Sequence, residues 1–129
     1  MITKYKAFIF SGDPDKLVRF YIDILGFKIL SELKLPNDYG YMIESEPGCQ
    51  IWVAQHSEVK GYNKDPYRHI VNMYTNDVLG LYEKIKEAEG VKVVQEPIDM
   101  GEFNPGAAGR TVFTILDPEG NCLQFMSQA

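Results

Sequence analysis

Short apolar runs typical of β-strands flank one segment whose apolar residues recur at helical spacing. The helical positions are Leu17, Phe20, Tyr21, Ile24 and Leu25. Asp13 is a typical N-cap residue, Pro14 favours the first helical position, and Gly26 is typical of the left-handed residue that ends a helix. The first part of the chain is therefore predicted to hold one helix among four strands, at 5–11, 27–30, 39–44 and 49–54.

The same order of elements is predicted again in the second half. The strands are expected at 70–74, 91–94, 110–116 and 122–125, around a helix with apolar positions Val78, Leu81, Tyr82 and Ile85. Asp13 and Asp77 lie 64 positions apart, and the same offset relates Gly26 to Gly90. Near the C-terminus the offset grows to 72, because a loop rich in Gly, Pro and Ala occupies 99–110. The chain is therefore predicted to contain one structural unit twice.

This duplication predicts an α+β fold of two βαβββ modules. The modules are expected at 1–58 and 66–129, with a connector at 59–65, in a single domain of residues 1–129. One helix covers one face of each small mixed sheet and leaves the other face without a helix. Two such sheets side by side are expected to form a curved cup with the helices outside, a natural place for a small molecule.

Charge and composition exclude several classes of protein. The net charge of −5 argues against nucleic acid as a partner, because no basic patch is available to bind phosphates. No apolar run approaches the roughly 20 residues of a membrane helix, and residues 1–4 do not begin a signal peptide. Cys49 and Cys122 do not make a disulfide framework, and Cys122 is expected to be a buried, inert thiol. We therefore expect a cytoplasmic protein.

Two sequence motifs resemble a known family. Phe20-Tyr21 followed by Leu25-Gly26-Phe27, and the closing turn Asp117-Pro118-Glu119-Gly120-Asn121, resemble the vicinal oxygen chelate superfamily. This superfamily includes glyoxalases, bleomycin-resistance proteins and extradiol dioxygenases. The resemblance covers essentially the whole chain. It implies the paired βαβββ fold and a homodimer whose cups hold a ligand, and it leaves open whether modules pair within one chain or across the dimer.

Metal-using members of the superfamily place four ligands in the cup. Carried over by spacing, these positions fall on Lys6, Trp52, Ile70 and Gln124. A transition metal needs imidazole, carboxylate or thiolate donors, so this set predicts no metal and no cofactor. The departure favours the metal-free, bleomycin-resistance-like branch. The alternative is a glyoxalase-like lyase or isomerase, or a dioxygenase, that recruits a metal through His69, Gln124 and a carboxylate such as Glu44.

Strand alternation assigns candidate ligand-binding residues to the cup. They combine aromatic rings with a few polar groups: Lys6, Phe8, Phe10, Trp52, Asn72, Tyr74, Arg110 and Gln124. Such a set suits a planar or amphipathic organic molecule. Arg110 follows the loop 101–109, whose glycines make it a candidate lid. The competing interpretations are that the aromatic side chains only fill a core, or that the chain is an accessory domain with a vestigial cup.

Overall fold

A computed structural model describes residues 1–128, and in it each half of the chain forms one four-stranded sheet with one principal helix. The chain divides into two compact units, one ending at Gly61 and the other beginning at Tyr62. These units are called the first and second modules below.

The first module has the predicted order of elements. Its strands are β1 (Ala7–Ser11), β2 (Lys28–Leu35), β3 (Asp38–Glu44) and β4 (Gln50–Gln55). The helix α1 (Pro14–Arg19) lies between β1 and β2 and continues as a π-helical segment, Phe20–Ile24. The strands are arranged in the order β1-β4-β3-β2, with β1 and β4 parallel and the other pairs antiparallel.

The second module repeats this topology. Its elements are β5 (Val71–Thr75), α2 (Val78–Ile85), β6 (Lys92–Asp99), β7 (Thr111–Leu116) and β8 (Cys122–Ser127). The strand order is β5-β8-β7-β6, and β5 and β8 are the parallel pair. The prediction of an α+β fold built from two βαβββ modules is therefore confirmed.

Both principal helices begin in the same way. The Asp13 carboxylate accepts a hydrogen bond from the amide of Lys16 at 3.2 Å, and that of Asp77 accepts one from the amide of Gly80 at 2.9 Å. Each bond satisfies an amide that has no partner within its own helix, which is why Asp is favoured at this position. The predicted N-caps are confirmed in both modules.

The turns that precede the last strand of each module also correspond. Gly48 has φ +87° and Gly120 has φ +85°, a backbone region that residues with a Cβ rarely occupy. In the second module the Asp117 carboxylate closes this turn, accepting hydrogen bonds from the amides of Glu119 at 2.8 Å and Asn121 at 3.0 Å. Asn63 joins this turn through its own amide, which donates to the Glu119 carbonyl at 2.8 Å.

Some predicted boundaries were wrong. The first helix was expected to remain α-helical to Leu25, but it widens into the π-helical segment, and the adjacent rings of Phe20 and Tyr21 are both buried there. The second strand extends to Leu35 instead of ending at residue 30. This strand is exposed along its whole length. Its polar residues interrupt the apolar run from which the strand was predicted. The segment after Asp99 is not irregular, because it contains two short 3-10 helices, Met100–Glu102 and Pro105–Ala107.

Candidate functional site

In the first module, one face of the sheet packs on α1 and the other carries aromatic side chains. The helix-covered face is buried, with Ile43 and Val53 fully inaccessible to solvent. Alternation along the strands turns Phe8, Met42 and Trp52 to the opposite side. Phe8 lies opposite Trp52 in the parallel pair, and Trp52 lies opposite Met42 in the antiparallel pair. We call these three residues, with Lys6 and Phe10, the aromatic face.

Residues at the edges of the aromatic face contact one another and neighbouring side chains. The rings of Phe8 and Phe10 meet edge to face, with centroids 6.1 Å apart, and Phe10 meets the imidazole of His56 at 5.0 Å. The Lys6 ammonium lies 4.0 Å from the Met42 sulfur. Phe8 is nevertheless 57% exposed, so the face retains accessible aromatic surface. Three of the predicted ligand-binding residues are thus brought together with Trp52.

A charged group lies at one end of this sheet. The Glu44 carboxylate accepts hydrogen bonds from the Gln50 side-chain amide at 2.8 Å and from the backbone amide of Gly48 at 3.1 Å. These two bonds lower the pKa of Glu44, and the positive charges of Lys4 and Lys6 lower it further. Glu44 is therefore an ionised group engaged within its own module.

The corresponding face of the second module is neutral and polar. Asn72 lies opposite Gln124, Gln124 lies opposite Thr114, and Thr114 lies opposite Gln95 on the outer strand. The Gln124 side-chain nitrogen donates to the Asn72 side-chain oxygen at 3.1 Å. We call this row of four residues the amide row. Tyr74, on the same face, is 59% exposed.

Apolar residues flank the amide row on both sides. Met126 and Val112 form one neighbouring pair and Leu116 and Cys122 the other, and all four are buried. Burial also raises the pKa of the Cys122 thiol, in agreement with the prediction of an inert thiol. The strands β5, β7 and β8, which are described in full, contain no Asp, Glu, Lys or Arg. The amides therefore lie in a neutral, largely apolar setting.

The predicted lid segment is hydrogen-bonded at its base. The Asp99 carboxylate accepts bonds from the amides of Gly101 at 2.7 Å and Gly109 at 3.0 Å, and the Met100 amide donates to the Arg110 carbonyl at 2.7 Å. Arg110 itself is half-buried and directly precedes β7. Its role in ligand binding, and the role of 101–109 as a lid, remain predictions.

The residues at the family's metal positions do not fit a divalent metal. Lys6 and Trp52 supply no suitable donor, Ile70 is apolar, and the Gln124 amide is neutral and already bonded to Asn72. His69 precedes β5 and is exposed. Among residues 1–128, no three or more His, Cys, Asp or Glu side chains come together in a group suited to a metal ion.

The sequence prediction did not include Met42 and Thr114, which lie on the helix-free faces. Met42 and Thr114 occupy corresponding places, next to Trp52 and Gln124 respectively. Alternation within the predicted strands 39–44 and 110–116 would have placed both side chains on this side. Only the register between strands shows that they adjoin the predicted residues.

Comparison with known proteins establishes the family. The sequence model of the Glyoxalase/Bleomycin resistance protein/Dioxygenase superfamily matches residues 5–125, and the chain belongs to this family. The resemblance inferred from the motifs is therefore confirmed at the level of the superfamily. A comparison with curated protein sequences gave no match. Within residues 1–128, no helix has the length and apolar character required to cross a membrane.

Solved structures share the fold at low sequence identity. Glyoxalase I from Zea mays matches with a TM-score of 0.74 and 21% identity over 96% of this chain. This chain spans 44% of the length of that protein. TioX from Micromonospora sp. ML1 matches with a TM-score of 0.71 and 18% identity, covering 99% of this chain and 100% of its own. A superfamily member from Sphaerobacter thermophilus DSM 20745 matches with a TM-score of 0.69 and 23% identity, covering 99% and 98%.

Proposed function

We propose that the chain binds a small organic molecule without a metal, in the manner of bleomycin-resistance-type proteins. The observation that carries this proposal is the aromatic face of the first module. Phe8, Met42 and Trp52 occupy adjacent places across three strands, on the side of the sheet opposite α1. Large apolar side chains on a face without a helix favour a planar or amphipathic ligand, because ring stacking adds to the gain from burying apolar surface.

The charges near this face suit a ligand with a polar end. Lys6 lies at the margin beside Met42 and is available to pair with a carboxylate or phosphonate. In the second module, Asn72, Gln124 and Tyr74 supply hydrogen-bonding groups on the corresponding side of the sheet. We include Arg110 as a group that reaches the ligand from the base of the segment 101–109. We propose that the protein works as a cytoplasmic homodimer.

The donor chemistry supports metal independence. A glyoxalase-like lyase or isomerase, or a dioxygenase, would need ligands that Lys6, Trp52, Ile70 and Gln124 do not provide. The structural similarity to maize glyoxalase I keeps this alternative worth testing, although at 21% identity it concerns the fold alone. His69→Ala discriminates the two functions, because it removes metal and activity only if the alternative holds.

Fluorescence tests the proposal directly. Trp52 is the single tryptophan, so quenching of its emission reports binding at the aromatic face without a label. A thermal-shift screen of aromatic metabolites and antibiotics, followed by titration of the stabilising compounds, is expected to give saturable quenching. Trp52→Ala is expected to abolish the thermal stabilisation while leaving metal content unchanged. Stabilisation that survives Trp52→Ala would contradict binding at this face.

Metal content tests the proposed independence from a metal. The protein is purified without chelator, incubated with Zn²⁺, Ni²⁺, Mn²⁺ or Fe²⁺, and desalted. We expect no stoichiometric retention. Near-stoichiometric metal that is lost in His69→Ala would contradict metal independence and would direct the assays to glyoxalase and dioxygenase substrates. Light scattering of the purified chain measures whether it is a dimer.

A further inference from the structure

We propose that the second module recognises the carboxamide edge of an uncharged organic molecule through the paired side-chain amides of Asn72 and Gln124. This inference rests on the proposed function and gives the chemistry that the second module recognises. The two residues lie opposite one another on adjacent parallel strands, and one hydrogen bond joins their side chains at 3.1 Å. That bond fixes the two amides side by side.

The bond leaves one donor and one acceptor unused. With the Gln124 nitrogen donating to the Asn72 oxygen, the Asn72 nitrogen and the Gln124 oxygen remain for a ligand. If both amides were turned over, the Asn72 oxygen and the Gln124 nitrogen would remain instead. Either orientation therefore leaves the pair with one donor and one acceptor for a ligand. A primary carboxamide or a ring lactam has the complementary edge, with its carbonyl oxygen and N–H group on the same side.

The surroundings select a neutral ligand. No Asp, Glu, Lys or Arg occurs in β5, β7 or β8, each of which is described in full, so a charged group seated here would have no counter-charge from these strands. Placing an unpaired charge in such a setting is costly. The flanking residues Met126 and Val112 are buried and apolar, and Tyr74 offers an exposed ring on the same face. The ligand is therefore expected to carry its amide on an aromatic or otherwise apolar frame.

Three small benzene derivatives with different polar groups test this inference. Benzamide presents a donor and an acceptor, N,N-dimethylbenzamide lacks the donor, and benzamidine presents two donors and a positive charge. Nuclear magnetic resonance follows the side-chain NH₂ signals of Asn72 and Gln124 during titration, assigned by their loss in Asn72→Asp and Gln124→Glu. Benzamide is expected to shift both signals and to bind at least about tenfold more tightly than the dimethyl compound, the factor expected for one hydrogen bond.

The same two variants are expected to reverse the preference for benzamide over benzamidine. In Asn72→Asp the new carboxylate still accepts from Gln124, and only acceptors remain for the ligand. In Gln124→Glu the Asn72 amide turns to donate to the carboxylate, and again only acceptors remain. Both variants should therefore favour benzamidine, which donates two hydrogen bonds to paired acceptors, over benzamide by about tenfold or more. Two independent variants keep the test valid if one of them fails to fold, as the backbone amide spectrum would show.

Gln95→Glu is the matched control. It makes the same change of charge at the outer end of the amide row, two strands from Gln124, and is expected to keep the wild-type preference for benzamide. Unshifted NH₂ signals with benzamide, or an unchanged preference in both Asn72→Asp and Gln124→Glu, would overturn the inference. If the dimethyl compound binds as tightly as benzamide and quenches Trp52, the proposed function stands and this inference fails. If benzamide shifts the NH₂ signals but no aromatic compound quenches Trp52, the proposed binding of a ligand at the aromatic face is contradicted instead.

Discussion

The two modules have the same strand topology and the same register, but their helix-free faces have opposite chemistry. In the first module the row across β1, β4 and β3 is Phe8, Trp52 and Met42. In the second, the row across β5, β8 and β7 is Asn72, Gln124 and Thr114. The helix-covered faces are apolar in both modules, because burying them stabilises each unit. The helix-free faces have no such requirement, so they are the surfaces on which the two copies differ.

The modules also hold their helices in different ways. In the first, the hydroxyl groups of Tyr41 and Tyr39 donate to the Asp15 carboxylate at the start of α1. In the second, the ring of Tyr82 on α2 meets that of Phe113 on β7 edge to face, with centroids 5.2 Å apart. Hydrogen bonds between sheet and helix in the first module therefore take the place of an aromatic contact in the second. The contact between sheet and helix therefore depends on an ionised carboxylate in the first module only.

The largest effect is expected from the corresponding turn glycines. At both positions the fold imposes a positive φ on the new alanine. The Cβ of Gly120→Ala also overlaps the ring of Tyr62, whereas that of Gly48→Ala meets no atom within 4 Å. We expect Gly48→Ala to cost about 1–2 kcal/mol in the free energy of unfolding and Gly120→Ala about 2–3 kcal/mol more. Chemical denaturation measures both. Equal losses would show that the Tyr62 contact is unimportant, and Tyr62→Ala is expected to restore part of the loss in Gly120→Ala.

The next largest effect is expected in ligand binding. Trp52→Gln gives the first module the residue that the second module has at the corresponding place. Loss of the large ring is expected to weaken binding of a compound from the thermal-shift screen by about 2 kcal/mol, or roughly thirtyfold. Isothermal titration calorimetry measures it, with Tyr67→Phe as a control, because this exposed residue lies outside the strands and the change is expected to leave affinity within about threefold. An affinity unchanged in Trp52→Gln would remove the functional distinction between the two faces.

A smaller and equal effect is expected at the two helix caps. Asp13→Ala and Asp77→Ala each remove a carboxylate that accepts from an amide in the first turn of its helix. Each is expected to lower the free energy of unfolding by about 1 kcal/mol, the usual value of such a cap. Measured by urea denaturation, the two losses should agree within error. A much larger loss for one of them would mean that the two modules differ in the stability of their helices as well as in their faces.

The smallest effect is expected from acid. Hydrogen bonds from Tyr41 and then Tyr39 lower the pKa of Asp15 below its ordinary 3.8. The stabilisation is therefore present above pH 4, and it is lost as the pH falls through the lowered pKa. Because Asp15 is exposed, Asp15→Asn is expected to lower Tm near pH 7 by only about 2 °C or less, and by nothing at strongly acidic pH. A Tm difference that persists in acid would show that the ionised carboxylate is not the cause.

Local patterns predicted more of the fold than of the site. The caps at Asp13 and Asp77 and the glycines at 26 and 90 depend on residues close together in sequence, so the pattern alone located both helices. The exposed strand β2 was only partly predicted, because an edge strand without a buried face has no hydrophobic alternation to detect. Alternation placed Phe8, Trp52 and Gln124 on the helix-free side, but it did not find all of their neighbours across the sheet. Lys6 and Arg110 lie just outside the strands.

By itself, the sequence determined that one βαβββ unit occurs twice and which residues alternate onto each face, because both depend on spacing along the chain. Only the tertiary structure decided which residues meet. The register places Phe8 opposite Trp52 in the first module and Asn72 opposite Gln124 in the second. The register between strands far apart in sequence is fixed by hydrogen bonding and core packing together, and no local pattern contains it.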